Sequence, residues 1–268
     1  MKDLTDGTGQ AAEKAGNAGI KIGAGEHVDD LLKDGLVIIQ KKNGFRYGTD
    51  AVVLSKFAEI DGCREVLDIG TGSGIIPILL SADNKKAHFT GIDIMPEAVE
   101  TAQRSALLNG LQDRLEFICA DVRDAAEVFK GRFFDAVVTN PPYKTGNTGL
   151  PNSDYSKYVA RHEVLCTLED VISAAAKLLK KRGRFFMVQR PDRLADSLEL
   201  MRKYGIEPKK LVFVHYDASR PPVMFLVKGV LGAGRELKVG APLILADSNA
   251  GGTAGTGPEG AEEAINFS

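Results

Sequence analysis

The sequence predicts an α/β fold built on a mostly parallel sheet, and three observations carry that prediction. Short apolar runs alternate with stretches of helical periodicity from about residue 36 to residue 228. One such run, Glu65–Ile69, passes directly through a glycine-rich turn into an apolar helix. Acidic residues then recur at the ends of three successive strands, Asp68, Asp93 and Asp121. Strands that alternate with helices are joined by crossovers, which leaves the sheet parallel and covered on both faces.

The elements follow in order. Leu36–Gln40 reads as an apolar strand, Lys41-Lys42-Asn43-Gly44 as a hairpin turn, and Phe45–Tyr47 as the returning strand. Thr49 or Asp50 is placed to cap a helix that carries Ala51, Val52, Leu54, Phe57 and Ala58. The strand Glu65–Ile69, the turn and a helix from Ile75 to about Ser81 come next. A second strand, Ala87–Asp93, leads into a helix from Pro96 to Asn109, with proline in its first turn and Gly110 at its end. Leu115–Ala120 and Phe134–Thr139 are the third and fourth strands. After a polar loop over 143–160, a helix from about Leu168 to Leu179 precedes the strand Arg184–Gln189. A helix starting near Pro191 and ending by Gly205 leads to two final strands, Lys210–Tyr216 and Val223–Lys228. That last pair has no long helical crossover between its members, so one of them should run antiparallel.

Composition places this core between two tails. Residues 1–25 and 246–268 are rich in Gly, Ala and small polar residues with few large apolar ones, and both are expected to be disordered. The domain is expected over 26–245, with 26–64 forming an N-terminal hairpin and helix. The 268 residues, 44% apolar and 26% charged, suffice to bury a core without disulfides or a structural metal. Cys63, Cys119 and Cys166 are widely spaced and include no CxxC pair, so they read as buried thiols rather than a zinc site. His27, His88, His162 and His215 show no metal-ligand spacing either, and no metal is expected. The apolar runs are too short to span a bilayer, and the first residues lack the apolar stretch of a signal peptide. The expectation is a cytoplasmic protein.

The net charge of -2 hides an asymmetry. Residues 140–240 hold 18 Lys and Arg against 10 Asp and Glu, so the rest of the chain is acidic. A basic half suits a polyanion such as RNA, although solvated helix ends collect the same residues.

The strongest local element is Asp68-Ile-Gly-Thr-Gly-Ser-Gly74, between a strand and a helix. Glycines at 70, 72 and 74 let the backbone turn tightly and approach a ligand with no Cβ between. The amides that open the following helix suit an anion, here the carboxylate of a methionyl group. Asp68 adds a negative charge that suits an amino group and disfavours a pyrophosphate. Ile75 stands where the dinucleotide fingerprint would have its third glycine. Asp93, followed by Ile94, falls where a carboxylate can accept from both ribose hydroxyls of a nucleoside cofactor. Asp121, followed by Val122, is positioned to meet that cofactor's adenine amino group. Taken singly, each carboxylate is more often a solvated loop residue or a helix cap.

The second element, Asn140-Pro141-Pro142-Tyr143, ends the fourth strand. Elsewhere it would be a rigid turn, but beside a cofactor cleft its parts suit methylation of an amino group. An exocyclic amine on a nucleobase is a poor nucleophile because its lone pair is delocalised into the ring. If the Asn140 side-chain oxygen and the Pro141 carbonyl accept its two hydrogens, the nitrogen moves toward sp³ character. Its lone pair then points at an activated methyl group. The prolines fix the carbonyl in advance, and Tyr143 can stack on a splayed-out base.

On these residues the chain resembles the class I methyltransferases that methylate amino nitrogens. The segment Gly44-Phe-Arg-Tyr-Gly-Thr-Asp-Ala-Val-Val-Leu54 is similar to a bacterial group of tRNA (adenine-N6)-methyltransferases that act on valine tRNA. The resemblance covers roughly 28–245. It implies a Rossmann-like, seven-stranded class I sheet with one antiparallel strand near the C-terminus. It also implies S-adenosylmethionine as cofactor and N6 of an adenine in tRNA as the methylated atom. Asp68, Gly70, Gly72, Gly74, Asp93, Asp121 and Asn140 would then contact the cofactor or the reacting amine. Thr49 and Asp50 would close over the cofactor's methionyl end. Three alternatives stay open: a protein glutamine amide of a release factor, guanine N2 in ribosomal RNA, and a non-catalytic SAM- or RNA-binding module. The glutamine enzymes carry a helical N-terminal recognition domain, for which 26–64 leave little room.

Overall fold

The computed structural model describes residues 19–41, 48–141 and 166–245. Two antiparallel strands come first, β1 (Glu26–Asp30) and β2 (Val37–Lys41), paired through Val28 and Ile39. The main unit then alternates through α1 (Thr49–Phe57), β3 (Glu65–Ile69), α2 (Ile75–Asp83), β4 (His88–Asp93), α3 (Pro96–Leu108) and β5 (Leu115–Cys119). A 3₁₀ turn at Val122–Asp124 runs into the single-turn α4 (Ala125–Val128), followed by β6 (Phe134–Thr139). The second half contains α5 (Leu168–Leu178), β7 (Leu179–Gln189), a 3₁₀ turn at Pro191–Arg193 and α6 (Leu194–Lys203). It ends with β8 (Ile206–His215), β9 (Pro222–Leu231) and the two-residue strands β10 (Lys238–Val239) and β11 (Leu243–Ile244).

The seven main strands lie in the order β5-β4-β3-β6-β7-β9-β8. Every pairing from β5 to β7 is parallel, and β9 is antiparallel to both of its neighbours. This is the predicted class I sheet, including its antiparallel strand near the C-terminus. Two short strands were not predicted: β10 and β11 both pair in parallel with the outer edge of β8. Two-residue strands carry no alternation that a sequence pattern could register, and their effect is to cover an edge that would otherwise present open hydrogen-bonding groups.

Side chains alternate across the sheet into two cores. One contains Val66, Phe89, Val138, Phe186 and Leu226 against the buried sides of α1, α2 and α3. The other contains Leu67, Ile69, Val137, Phe185 and Phe225 against α4, α5 and α6. Phe89, Phe134, Phe185, Phe186 and Phe225 are fully buried, each contributing about 1.5–3 kcal/mol of transfer free energy.

The N-terminal hairpin is a separate ribbon packed on α3. Val37 and Ile39 cluster with Leu108, joined by Ile20, Ile22 and Val28, so residues 20 and 22 are packed although composition groups them with the tail. Polar bonds secure it: Asn109 Oδ1 accepts from Val37 N at 2.9 Å, and Arg104 pairs with Glu26 at 2.6 Å. The predicted hairpin joined 36–40 to 45–47, but residues 42–47 lie outside the described set, and the observed partner of β2 is β1. β1 reads Glu-His-Val-Asp-Asp, and a single valine gives no apolar alternation to recognise.

One boundary differs in a way that matters for the site. Thr49 and Asp50 do not cap α1: the N-cap is Gly48, with no side-chain capping bond, and both residues belong to the first turn. β7 also begins five residues earlier than predicted, because a register shift between Phe134 and Ala136 lets the charged stretch Lys180–Arg182 continue the strand.

Candidate active site at the switch point of the sheet

From β3 the chain winds outward through β4 and β5, then returns to lay β6 on the other side of β3. The crevice of such a sheet opens where the winding reverses, at the C-terminal ends of β3 and β6. Those ends are paired, Ile69 against Thr139, and Thr139 Oγ1 donates to the Ile69 carbonyl at 2.9 Å. The glycine turn and Asn140 therefore start from adjacent, mutually tied strand ends.

The turn requires its glycines. Gly70, Gly72 and Gly74 have φ of 74°, 55° and 82°, in the left-handed region that L side chains rarely adopt. Among the described residues nothing lies within 4 Å of a Cβ built on Gly70 or Gly72. At Gly74 a Cβ would lie 2.8 Å from the Phe117 ring and 3.0 Å from Ala102, so this glycine also permits α2 to pack. The amides of Gly70 and Thr71 donate to the Ile92 carbonyl, and Gly72 N donates to Asp93 Oδ2 at 2.9 Å. The second Asp93 oxygen accepts from Met95 N at 2.9 Å.

Gly70, Asp93, Ile94, Asp121, Val122 and Pro141 line one cleft that opens to solvent. Its remaining wall is Ile69, Ile92, Ala120, Thr139, Cys166 and Val171. The sequence reading missed these six. Ile69 and Ile92 are buried near the ends of β3 and β4, Ala120 follows β5, and Val171 and Cys166 enter only because α5 begins beside the cleft. Burial, with Asp170 and Asp121 nearby, pushes the Cys166 thiol up to about 12, so it stays protonated at neutral pH and forms part of an apolar wall. Asp121 is already engaged: it accepts from Arg123 N at 2.9 Å and pairs with the Arg123 guanidinium, which holds its pKa below the usual carboxylate value.

Asp68 lies beneath the turn on the α1–α3 face, 2% exposed. Among the described residues neither of its oxygens meets a donor in hydrogen-bond geometry, although the Thr71 hydroxyl lies near it. Burial pushes its pKa up to about 7; the Thr71 hydroxyl opposes that shift and the Asp93 charge adds to it. A buried carboxylate without donors is costly on its own, and the chemistry that satisfies it is a cationic donor such as an amino group.

Asn140 is half-buried, and its Nδ2 donates to Asp50 Oδ2 at 3.0 Å. Thr49 sits half-buried in the same helical turn. Pro142 and Tyr143 lie outside the described residues. Among the described residues there is no cluster of three or more His, Cys, Asp or Glu side chains placed to hold a metal ion. Nor, among them, is any helix long and apolar enough to cross a membrane. Much of the basic excess after residue 140 is engaged in ion pairs, such as Lys180 with Asp135, Lys203 with Glu169, and Lys228 with Glu59.

Residues 42–205 match the family described as the methyltransferase small domain. The chain is 30% identical over 182 residues to a Phocaeicola vulgatus protein named tRNA1(Val) (adenine(37)-N6)-methyltransferase, covering 68% of this chain and 75% of that one. A Porphyromonas gingivalis protein of the same name is 32% identical over 187 residues, with 68% and 72% covered. Among solved structures, a predicted O-methyltransferase from Agrobacterium tumefaciens superposes with a TM-score of 0.61 at 22% identity, over 76% of this chain and 91% of that one. The T. thermophilus 16S rRNA N2 G1207 methyltransferase, in complex with AdoMet and guanosine, gives 0.53 at 18% identity, over 77% and 50%. At those identities the two structures speak to the fold.

Proposed function

The chain belongs to the methyltransferase small domain family, and from that premise we propose that it methylates N6 of an adenine in tRNA, using S-adenosylmethionine. The observation that carries the proposal is the placement of Asn140 and Pro141. Two hydrogen-bond acceptors follow the strand that pairs with the glycine-turn strand, at the point where the sheet reverses, and Pro141 lines the cleft there. Relatives named as tRNA1(Val) adenine-N6-methyltransferases supply the substrate class. The catalytic unit spans 26–245.

S-adenosylmethionine supplies, when bound, a methyl group activated on a sulfonium. The orphaned Asp68 carboxylate fits the amino group of its methionyl part, and the open faces of Gly70 and Gly72 leave room for that part beside the turn. Asp93, at the end of β4 and lining the cleft, would accept from the ribose hydroxyls. Ile94 and Val122, which line the cleft, would flank the adenine, and Asp121 would accept from its amino group while still paired with Arg123. Thr49, in the first turn of α1, would close the methionyl end.

At the reacting centre, Asn140 Oδ1 and the Pro141 carbonyl accept the two N–H groups of the substrate amine. Pro142 and Tyr143, outside the described residues, are assigned to the same site from the sequence alone. Both acceptors are in place before the substrate arrives, so little reorganisation accompanies the bond change. Held in this way, the amine would direct its lone pair at the methyl group that bound S-adenosylmethionine supplies, and the proton lost from nitrogen would pass to water.

The test is a valine tRNA transcript and a variant with adenine 37 replaced by guanine, each incubated with labelled S-adenosylmethionine. Label in the first alone supports the proposal. Equal labelling of both moves the target to another nucleotide.

A further inference from the structure

Asn140 serves the proposed reaction through a single atom, its side-chain oxygen, yet an asparagine amide can turn either end toward a substrate. The terminal torsion is broad and roughly twofold, so oxygen and nitrogen compete for the same place. With nitrogen inward, two NH2 groups would meet donor to donor, and the amine could not be activated.

In the structure α1 makes the choice. Asn140 Nδ2 donates to Asp50 Oδ2 at 3.0 Å, between residues 90 positions apart in the chain. A carboxylate accepts and does not donate, so the amide end facing Asp50 is the nitrogen, and Oδ1 faces away from it. The carboxylate is itself braced, since Oδ1 of Asp50 accepts from Ala51 N at 3.0 Å. Its seat depends on the residue before α1. A Cβ on Gly48 would stand 2.3 Å from Asp50 Oδ1 and 3.2 Å from its Cγ. Gly48 has a φ of −93°, open to any residue, so what position 48 needs from glycine is room for the carboxylate.

We infer that Asp50 is a positioning residue that acts through Asn140, holding the amide so that Oδ1 is the atom presented to the reacting amine. The inference rests on the proposed role of Asn140 as amine acceptor. It replaces the contact with the methionyl end of the cofactor that resemblance implies for Asp50. The two roles differ in what they need: orientation of Asn140 needs an acceptor at position 50, whereas pairing with a cofactor amino group needs a negative charge.

Three variants separate them. Asp50→Ala removes the acceptor and is expected to lower kcat on tRNA about 10–100-fold. By calorimetry its Kd for S-adenosylmethionine should stay within about twofold of wild type, because the lost effect belongs to the reacting geometry. Asn140→Asp sets two carboxylates against each other and should be similarly impaired. The double variant Asp50→Asn with Asn140→Asp reverses donor and acceptor while keeping an oxygen toward the amine. It is expected to recover at least about tenfold over Asn140→Asp alone. Thermal melts accompany each variant, and the double variant carries the test if Asp50→Ala fails to fold.

A wild-type chain that labels tRNA, with a double variant no better than Asn140→Asp, overturns the positioning role alone. So does an Asp50→Ala variant whose main defect is a weakened cofactor Kd. A wild-type chain that labels no tRNA adenine removes the reading of Asn140 and this role with it.

Discussion

The Asp93 carboxylate accepts a hydrogen bond from the Gly72 amide at 2.9 Å, so the end of β4 holds the glycine turn that follows β3. The same carboxylate takes Met95 N at the entry to α3. A residue proposed to bind ribose is thus also a structural brace, and its loss should show in two measurements. Asp93→Ala is expected to destabilise the protein by about 1–3 kcal/mol, since two backbone donors lose a partner in a site 3% exposed. Denaturant unfolding measures that loss. Calorimetry should show weaker S-adenosylmethionine binding beyond it, and unchanged affinity would move the ribose site elsewhere.

The glycines of the turn should divide by what surrounds them. Gly74→Ala combines a φ of 82° with a Cβ 2.8 Å from Phe117, and left-handed strain plus overpacking is expected to cost about 2–5 kcal/mol. Gly70→Ala meets open space at a φ of 74°, so only the strain of about 1–2 kcal/mol applies. Its larger effect should fall on cofactor affinity. Thermal unfolding of the two variants side by side checks the ordering; a Gly70→Ala variant as unstable as Gly74→Ala would contradict it.

Asp68 predicts a pH dependence. Its folded-state pKa of about 7 lies above the ordinary value of 3.8. Between those values the folded chain binds more protons than the unfolded one, so stability falls as pH rises from about 4 to about 7. Below that window both states are protonated and the penalty is absent; above it the penalty is complete. Asp68→Asn removes this slope, and should gain on wild type progressively from pH 4 to pH 7 while binding S-adenosylmethionine less well. Parallel stability curves for the two proteins would show that Asp68 does not titrate in this range.

Asn140→Ala removes an acceptor needed only as the amine attacks. It is expected to lower kcat by at least about 100-fold while leaving cofactor binding close to wild type. Single-turnover methylation beside calorimetry checks both halves. Unchanged turnover would remove Asn140 from the mechanism.

Legibility in the sequence followed physical cause. Strands such as Glu65–Ile69 and Phe134–Thr139 were readable to the residue, because buried parallel strands are apolar runs bounded by turns. The glycine turn was readable because positive φ selects glycine, and the cleft residues Asp93, Asp121 and Pro141 because strand ends share an edge. β1 was hidden by its polar composition, since its burial comes from α3 and from residues 20 and 22 rather than from a periodic face. The bond between Asp50 and Asn140 was hidden by distance in the chain. Asp50 looked like a helix cap or a cofactor contact until the fold placed the first turn of α1 beside the end of β6.

The central claim is that this geometry serves an amino nitrogen in tRNA, and transfer of labelled methyl tests it most directly. The protein would be incubated with tritiated S-adenosylmethionine, unmodified total bacterial RNA and a release factor, and the products digested to nucleosides and peptides. The account predicts label as N6-methyladenosine in the tRNA fraction. Label on a glutamine of the release factor, or as N2-methylguanosine in ribosomal RNA, would contradict it.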